Sequence, residues 1–327
     1  MSFSAGIIGT GMALPEKIIT NADIEKMVDT TDEWIVSRTG IRQRTIARED
    51  ESTSTFAVKA GRDALEAAGV APEAIDLLIC ATVTPDSPLP AVACTVQAEL
   101  GASNAAAFDI SAACTGFIYA LTIADKFIKT GAAEHILVIG AEVLSKWTDW
   151  TDRSTCVIFA DGAGAAVVSR VPEGRGILAS MIRSDGNFTS VLNIPAGGTK
   201  EPFSQEVLDK RRHYIKMKGN ELFKVAIRNM TYTSKQVLKE AGYGSEDLDL
   251  VIPHQANQRI TAAVAERINV TDDRMYANID RIGNSSSATI PIGLHENVAS
   301  GRLKQDDLVL LTAFGGGVTW GSLLMRW

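Results

Sequence analysis

Glu73-Ala74-Ile75-Asp76-Leu77-Leu78-Ile79, preceded by Ala68-Gly69-Val70, recurs as Glu246-Asp247-Leu248-Asp249-Leu250-Val251-Ile252, preceded by Ala241-Gly242-Tyr243, at a constant offset of 173 residues. Ahead of the first copy, Phe56, Lys59, Ala60, Asp63, Ala64 and Ala67 follow a helical pattern, as does the run 221–240 ahead of the second. Each copy therefore reads as helix, glycine turn, strand. Further on, His135-Ile136-Leu137-Val138-Ile139 resembles Asp307-Leu308-Val309-Leu310-Leu311 at an offset of 172. Between these, Ala107-Phe108-Asp109-Ile110 and Tyr276-Ala277-Asn278-Ile279 are short strand candidates, each leading through small residues into an amphipathic helix. An alternating α/β unit present twice in tandem is the expected architecture. Val171-Pro172-Glu173-Gly174-Arg175-Gly176 is the turn-rich join, which gives halves 1–171 and 172–327. Residues 29–51 and 184–216 have no counterpart in the other half and read as insertions that cover a site.

The bulk properties agree with a globular enzyme-sized chain. It has 327 residues, 46% hydrophobic and 22% charged, enough for two domains or one large α/β unit without disulfide support. With 32 Lys and Arg against 39 Asp and Glu the net charge is −7, which argues against bulk nucleic-acid binding while leaving room for a local basic patch. Cys80, Cys94, Cys114 and Cys156 form no C-x-x-C pair, so no zinc or other metal site is expected. The start, Met1-Ser2-Phe3-Ser4-Ala5-Gly6-Ile7-Ile8, lacks a basic region and reads as a first strand, not a signal peptide. Glycines 315–317 and Gly321 divide the uncharged run 308–325 into two strands and a turn, so no membrane span is expected. A cytoplasmic, thiol-reducing setting follows.

Four segments carry candidate chemistry. In Asp109-Ile110-Ser111-Ala112-Ala113-Cys114-Thr115-Gly116, a strand ends, small residues turn, and a helix is expected over 114–129. A thiol at a helix start favours thiolate through the free N–H groups and the dipole. A cysteine packed among alanines is an equally good local reading. Cys80, Cys94 and Cys156 fit packing better. In Leu250-Val251-Ile252-Pro253-His254-Gln255-Ala256-Asn257, His254 stands at a strand end, with a structural hydrogen-bonding role as its rival. His135 and His213 read as surface-turn residues and His295 as a helical neighbour of Glu296. In Gly283-Asn284-Ser285-Ser286-Ser287-Ala288, Asn284 occupies the second-half counterpart of the Cys114 turn and is read as an oxyanion donor or a helix cap. Phe314-Gly315-Gly316-Gly317-Val318-Thr319-Trp320-Gly321 offers close backbone approach and N–H groups, or simply a tight hairpin. Gly9-Thr10-Gly11 is set aside as a dinucleotide loop because Leu14-Pro15 spoils the helix that should follow.

Together with Trp34-Ile35-Val36-Ser37-Arg38-Thr39-Gly40-Ile41-Arg42-Gln43-Arg44, Thr151-Asp152-Arg153 and Phe159-Ala160-Asp161-Gly162-Ala163-Gly164-Ala165, these segments resemble the condensing-enzyme branch of the thiolase superfamily, most closely the β-ketoacyl-acyl-carrier-protein synthase III family. The resemblance spans nearly the whole chain and implies a five-layered α-β-α-β-α thiolase-like fold of two duplicated halves. Elongating relatives use Cys-His-His, but Asn284 stands where the second His would be. Thiolases use a second cysteine near the C-terminus, whereas the last cysteine here is Cys156. Chalcone synthases carry a different glycine loop.

The resemblance further implies that Cys114 is acylated by an acyl-CoA. The backbone N–H groups of Cys114 and Gly316 would form an oxyanion hole, and His254 and Asn284 would stabilise the enolate from malonyl-acyl-carrier protein. Trp34 and Arg153 would sandwich the CoA adenine, Arg38 would lie beside the nucleotide, and Asn220 and Asn257 would line the pantetheine tunnel. Lys224 and Arg259 would dock the acidic carrier protein. Coenzyme A enters as substrate, so no resident cofactor is implied; the partner implied for the chain itself is a second copy, as a homodimer. Leu89, in Ser87-Pro88-Leu89-Pro90, stands where short-chain members of the family place a phenylalanine across the dimer interface. A wider acyl pocket, open to branched or medium chains, is the expectation. A secondary-metabolism acyltransferase and a catalytically silent thioester-binding paralogue are the competing functions.

Overall fold

The computed structural model describes residues 4–327, so Met1-Ser2-Phe3 of the expected first strand lie outside the described residues. The first half runs β1 (Ser4–Ala13), α1 (Asp32–Thr39), α2 (Thr53–Ala68), β2 (Leu77–Ala81), α3 (Val92–Leu100), β3 (Ala106–Ile110), α4 (Gly116–Lys129), β4 (His135–Val143) and β5 (Asp161–Val171). The second runs β6 (Gly176–Ser184), α5 (Gly219–Ala241), β7 (Leu250–Pro253), α6 (Gln258–Ile268), α7 (Thr289–Ala299), β8 (Leu308–Gly315) and β9 (Thr319–Arg326). The two large sheets have orders β1-β5-β4-β2-β3 and β6-β9-β8-β7. In each, the buried pairs β2/β4 and β7/β8 are parallel, and the flanking pairs β4/β5 and β8/β9 are antiparallel.

Alternation along each strand sorts side chains between two cores. Leu77 and Ile79 of β2, with Val309 and Leu311 of β8, face inward onto Phe117, Leu121, Ile290 and Leu294 of the central helices α4 and α7. Leu78 and Cys80 face outward onto Phe56, Ala60 and Val96 of α2 and α3. Leu308 and Leu310 face outward onto Ile227, Met230 and Val264 of α5 and α6. The layers are therefore helix, sheet, helix, sheet, helix, the thiolase-like α/β arrangement. Strands buried on both faces explain the continuous apolar runs. Gly9 and Gly11 lie inside β1, where an added Cβ would strike the backbone of α2, so this motif serves close helix packing. Helices α2 and α5 both end at a left-handed glycine, Gly69 (φ 65°) and Gly242 (φ 79°), 173 residues apart.

Four expectations are corrected. The strand sought at 276–279 shrinks to one bridge, Met275 to Val251, because Gln255 Oε1 takes the N–H groups of Asn278 (2.9 Å) and Ile279 (3.1 Å) that a ladder would have used. Helix α4 begins at Gly116, since 113–115 form a 3₁₀ turn with Ala113 at φ 48°. His135 opens β4, its Nδ1 2.6 Å from the Ser169 hydroxyl. Cys94 is exposed on α3, whose Val92, Ala93, Val96 and Leu100 face inward instead.

Candidate active site

The central helices point their N-termini at the junction of the halves, and the candidate residues sit in the turns before or beside them. Cys114 is buried in the turn ahead of α4. Asn284 lies in the matching turn ahead of α7, where Ser286 repeats the left-handed backbone of Ala113 at φ 51°. Main-chain bonds fix Asn284 against the first half: its N–H donates to Ile158 O (3.0 Å), and its carbonyl accepts from Ala160 N (2.9 Å). Asn284 Oδ1 accepts the Ser286 N–H at 2.9 Å, which settles the amide orientation and leaves Nδ2 as the outward donor. The local cap and the donor are thus two ends of one side chain. His254 continues β7 past Pro253, its N–H donating to Thr312 O at 2.7 Å, and its ring lies against the Ser286 backbone.

Cys114, His254 and Asn284 line a single cavity of ≈ 100 Å³, roofed by Phe314 and Gly315. Beyond Cys114 it continues into a chamber of ≈ 330 Å³ walled by Val83, Leu144, Leu192, Ile194, Ile215 and Gly316. Outward, past Met217 and Phe223, it meets a mouth of ≈ 760 Å³. Both insertions take part: Trp34, Arg38 and Thr39 line the mouth, and Leu192, Ile194 and Ile215 line the chamber. The glycine loop is a hairpin between β8 and β9 and a close contact at once, since a Cβ at Gly315 would stand 2.6 Å from Cys114 N.

Burial dominates the electrostatics. It pushes the Cys114 thiol up to about 12, against a hydrogen bond from Ser286 that pulls it down. In this buried cavity desolvation outweighs the helix terminus and holds the Cys114 thiol above its ordinary value, against the thiolate that a helix start alone favours. Burial likewise pushes His254 down to about 3, which favours the neutral imidazole across the physiological range.

Sequence comparison decides the family. Residues 108–186 match the profile of 3-oxoacyl-[acyl-carrier-protein] synthase III, and residues 238–327 match that of its C-terminal region. The β-ketoacyl-[acyl-carrier-protein] synthase III of Caldanaerobacter subterraneus subsp. tengcongensis is 52% identical over 324 residues, covering 99% of this chain and 98% of the relative. The crystal structure of 3-oxoacyl-[acyl-carrier-protein] synthase III from Aquifex aeolicus superposes with a TM-score of 0.92 at 50% identity, covering 99% of this chain and all of that one. The chain belongs to the β-ketoacyl-acyl-carrier-protein synthase III family. It is a condensing acyltransferase of fatty-acid synthesis. A priming β-ketosynthase of the R1128 polyketide pathway shares the fold at a TM-score of 0.93, but at 33% identity over 99% of this chain and 96% of that one, which does not favour the secondary-metabolism alternative.

Within this synthase III frame, the mouth holds Trp34, Arg38, Arg153, Asn220, Lys224, Asn257 and Arg259 together. Their geometry is more committed than the motifs suggested. The Arg153 guanidinium lies 4.9 Å from the Trp34 ring centroid, in direct stacking contact, and Arg153 Nη1 donates to Asp29 O at 2.9 Å. A planar ligand must part this pair to enter between them. Asn257 lines the passage, but both ends of its amide are engaged: Nδ2 donates to Arg38 O (2.7 Å) and Oδ1 accepts from Arg259 N (2.9 Å), tying α1 to α6. Arg259 stacks on Phe223 at 5.2 Å. Leu89 is 84% exposed and stands apart from its own chain's chamber. Sequence reasoning missed Ser286, which touches both Cys114 and Asn284, and Glu142, a lone acid in the apolar run of β4. That lone acid was the available signal.

Proposed function

We propose that Cys114 is the acyl-accepting nucleophile of a two-step reaction, with His254 and Asn284 as the donors for the second step. In the first step the Cys114 sulfur attacks an acyl-CoA carbonyl and the C–S bond to CoA breaks. The thiol proton leaves with the CoA sulfur, so no net charge stays in the buried cavity. The N–H groups of Cys114 and Gly316 receive the tetrahedral oxyanion. In the second, malonyl-acyl-carrier protein enters, its carboxylate leaves as CO2, and the electron pair becomes an enolate whose oxygen accepts from His254 and Asn284. The enolate carbon attacks the thioester on Cys114, the C–S bond to Cys114 breaks, and the sulfur leaves as a thiolate that takes one proton from solvent to regenerate the thiol, with a β-ketoacyl-carrier protein released. One observation carries this reading: three reactive groups from separate segments meet in one buried cavity between an apolar chamber and a basic mouth.

The mouth residues Trp34, Arg38, Arg153, Asn220 and Asn257 are assigned to CoA, and Lys224 with Arg259 to the acidic carrier protein, which explains how a chain of net charge −7 attracts an acidic partner. Coenzyme A is substrate, and no resident cofactor is assigned. The homodimer reading is supported by β3, the outer strand of its sheet, with Phe108 and Ile110 half-buried on it. The Asp109 carboxylate accepts from Val92 N (2.7 Å) and Ala93 N (2.8 Å), which holds the Leu89 loop beside this edge and directs Leu89 toward a second copy's chamber. Leucine in place of an aromatic plate leaves room for branched or medium acyl chains. The setting is cytoplasmic, where Cys114 stays reduced; among the described residues no helix is long and apolar enough to cross a membrane.

The test is condensation of radiolabelled malonyl-carrier protein with acetyl-, isobutyryl- and octanoyl-CoA, with intact mass read on the enzyme. Acylation of the wild type but not of Cys114→Ala, followed by β-ketoacyl product, is expected. Absence of product with every primer overturns the function, and acylation by acetyl-CoA alone overturns the wide chamber.

A further inference from the structure

β4 carries Ile136-Leu137-Val138-Ile139-Gly140-Ala141-Glu142-Val143, an apolar strand with a single acid near its end. Glu142 is fully buried. Gly140 and Glu142 are two residues apart and so face the same side. Both meet Ser287 of the second half. At Gly140 an added Cβ would strike the Ser287 carbonyl oxygen, and at Glu142 Oε1 accepts the Ser287 hydroxyl at 2.9 Å. Oε2 accepts from the Thr84 hydroxyl (2.8 Å), Val83 N–H (3.1 Å) and the Thr82 hydroxyl (3.3 Å). None of these partners is a cation. Burial pushes the carboxyl above its ordinary range while the hydroxyls and the amide pull it back. A buried acid held only by dipoles is a costly way to fill a core position, where a leucine would pack without penalty.

What it joins gives it a reason. Val83 and Thr84 wall the acyl chamber beside Cys114. Ser287 follows Ser286, whose N–H fixes the Asn284 amide and whose hydroxyl bonds the Cys114 sulfur. We propose that Glu142 is a positioning residue for condensation, its carboxyl spanning from residues 82–84 to the Ser286-Ser287 turn and so setting where the Asn284 donor points relative to the thioester on Cys114. Glu142 itself touches no substrate. Small misplacements of a donor are expensive in rate, which is how an acid behind the chamber wall governs the reaction in front of it.

The inference rests on the roles given above to Cys114 and Asn284. Its test separates the two half-reactions on the same full-length preparations: acylation of Cys114 by intact mass, and β-ketoacyl product from enzyme already acylated. Glu142→Ala is expected to lower product formation about tenfold to hundredfold while acylation stays within about threefold of wild type. Glu142→Gln is expected to restore condensation: its oxygen serves Thr84 and Val83, and its NH2 faces the Ser287 hydroxyl, which turns to Ala81 O, 2.8 Å away. A merely structural acid would lower both half-reactions by the same factor, and that result overturns the proposal, as does a Glu142→Gln enzyme as slow as Glu142→Ala. If Glu142→Ala does not fold, Ser287→Ala replaces it: slowed condensation with normal acylation supports the proposal, and unchanged condensation overturns it. Cys114→Ala and Asn284→Ala run alongside, so that acylation of Cys114→Ala, or full condensation by Asn284→Ala, marks failure of the catalytic assignment and not of Glu142.

Discussion

The turn ahead of α4 and the turn ahead of α7 are the same piece of backbone used twice. Ala113 and Ser286, 173 residues apart, both adopt the left-handed conformation (φ 48° and 51°), both open a 3₁₀ turn, and both lead into a central helix. A non-glycine residue there costs about 1–2 kcal/mol, so the strain is kept in both copies. The next residue differs. Cys114 faces the cavity, while its counterpart Ser287 donates its hydroxyl to Glu142 and lies close to Ala81 O. On the proposed mechanism one copy presents the nucleophile and the other anchors the donor that serves it. The duplicated fold thus supplies two equivalent positions at the junction whose side chains are unequal.

The strongest challenge to that division is to try to exchange the roles. In Cys114→Ala combined with Ser287→Cys, the new thiol takes a position already committed to Glu142, so intact mass should detect no acyl-enzyme. Condensation should fall on the order of 10⁴-fold or more, as for loss of a nucleophile that acts as part of a unit. Acylation at position 287 would show that the two turns are interchangeable and that the asymmetry lies elsewhere.

A smaller break removes the side chain that carries the donor. Asn284→Ala keeps Cys114 but deletes Nδ2 together with the Oδ1 cap on the Ser286 N–H, and should cost about 3–4 kcal/mol in decarboxylation of malonyl-carrier protein. Measured as CO2 release, the loss should exceed any loss in acylation of Cys114. Equal losses would mean that Asn284 serves the turn and not the enolate.

How much of this asymmetry was readable beforehand depends on the kind of interaction. The duplication was legible because strands buried on both faces must be continuously apolar, and the offset of 173 survives in their sequence. Cys114, His254 and Asn284 stood out as candidates because each interrupts a pattern at an element's end, and the structure brings them to one cavity. The state of the thiol was not, because burial is a property of the assembled cavity, and it reverses what a helix start alone suggests. Nor was the missing strand at 276–279, which is replaced by the reach of a single side chain, Gln255. The mouth was legible by residue type only: that Arg153 rests on Trp34, and that Asn257 is occupied with Arg38, depend on rotamers that no spacing encodes.

His254 extends the comparison by one more pair, since its counterpart 173 residues earlier is Ala81. Alanine at the end of β2 leaves no group to titrate, whereas the imidazole at the end of β7 has its basicity lowered to about 3 by burial. In the unfolded chain the same group titrates near its ordinary value of about 6.5. Between these two values the unfolded state binds a proton that the native state refuses, so stability attributable to His254 is present above about pH 6.5 and lost as pH falls toward 3. At pH 5 the loss should be about 2 kcal/mol. His254→Ala makes the halves alike at this position and removes that dependence. Glu142 and Asp161, both pushed upward by burial, bind protons more readily in the native state and oppose the trend, but they are common to both proteins and cancel in the difference. Urea unfolding at pH 7 and pH 5 should therefore show the wild type losing about 2 kcal/mol more than His254→Ala over that interval. Parallel losses would mean that the imidazole accepts a proton in place, and His254 would then work on the enolate as a cation and not as the neutral donor its burial implies.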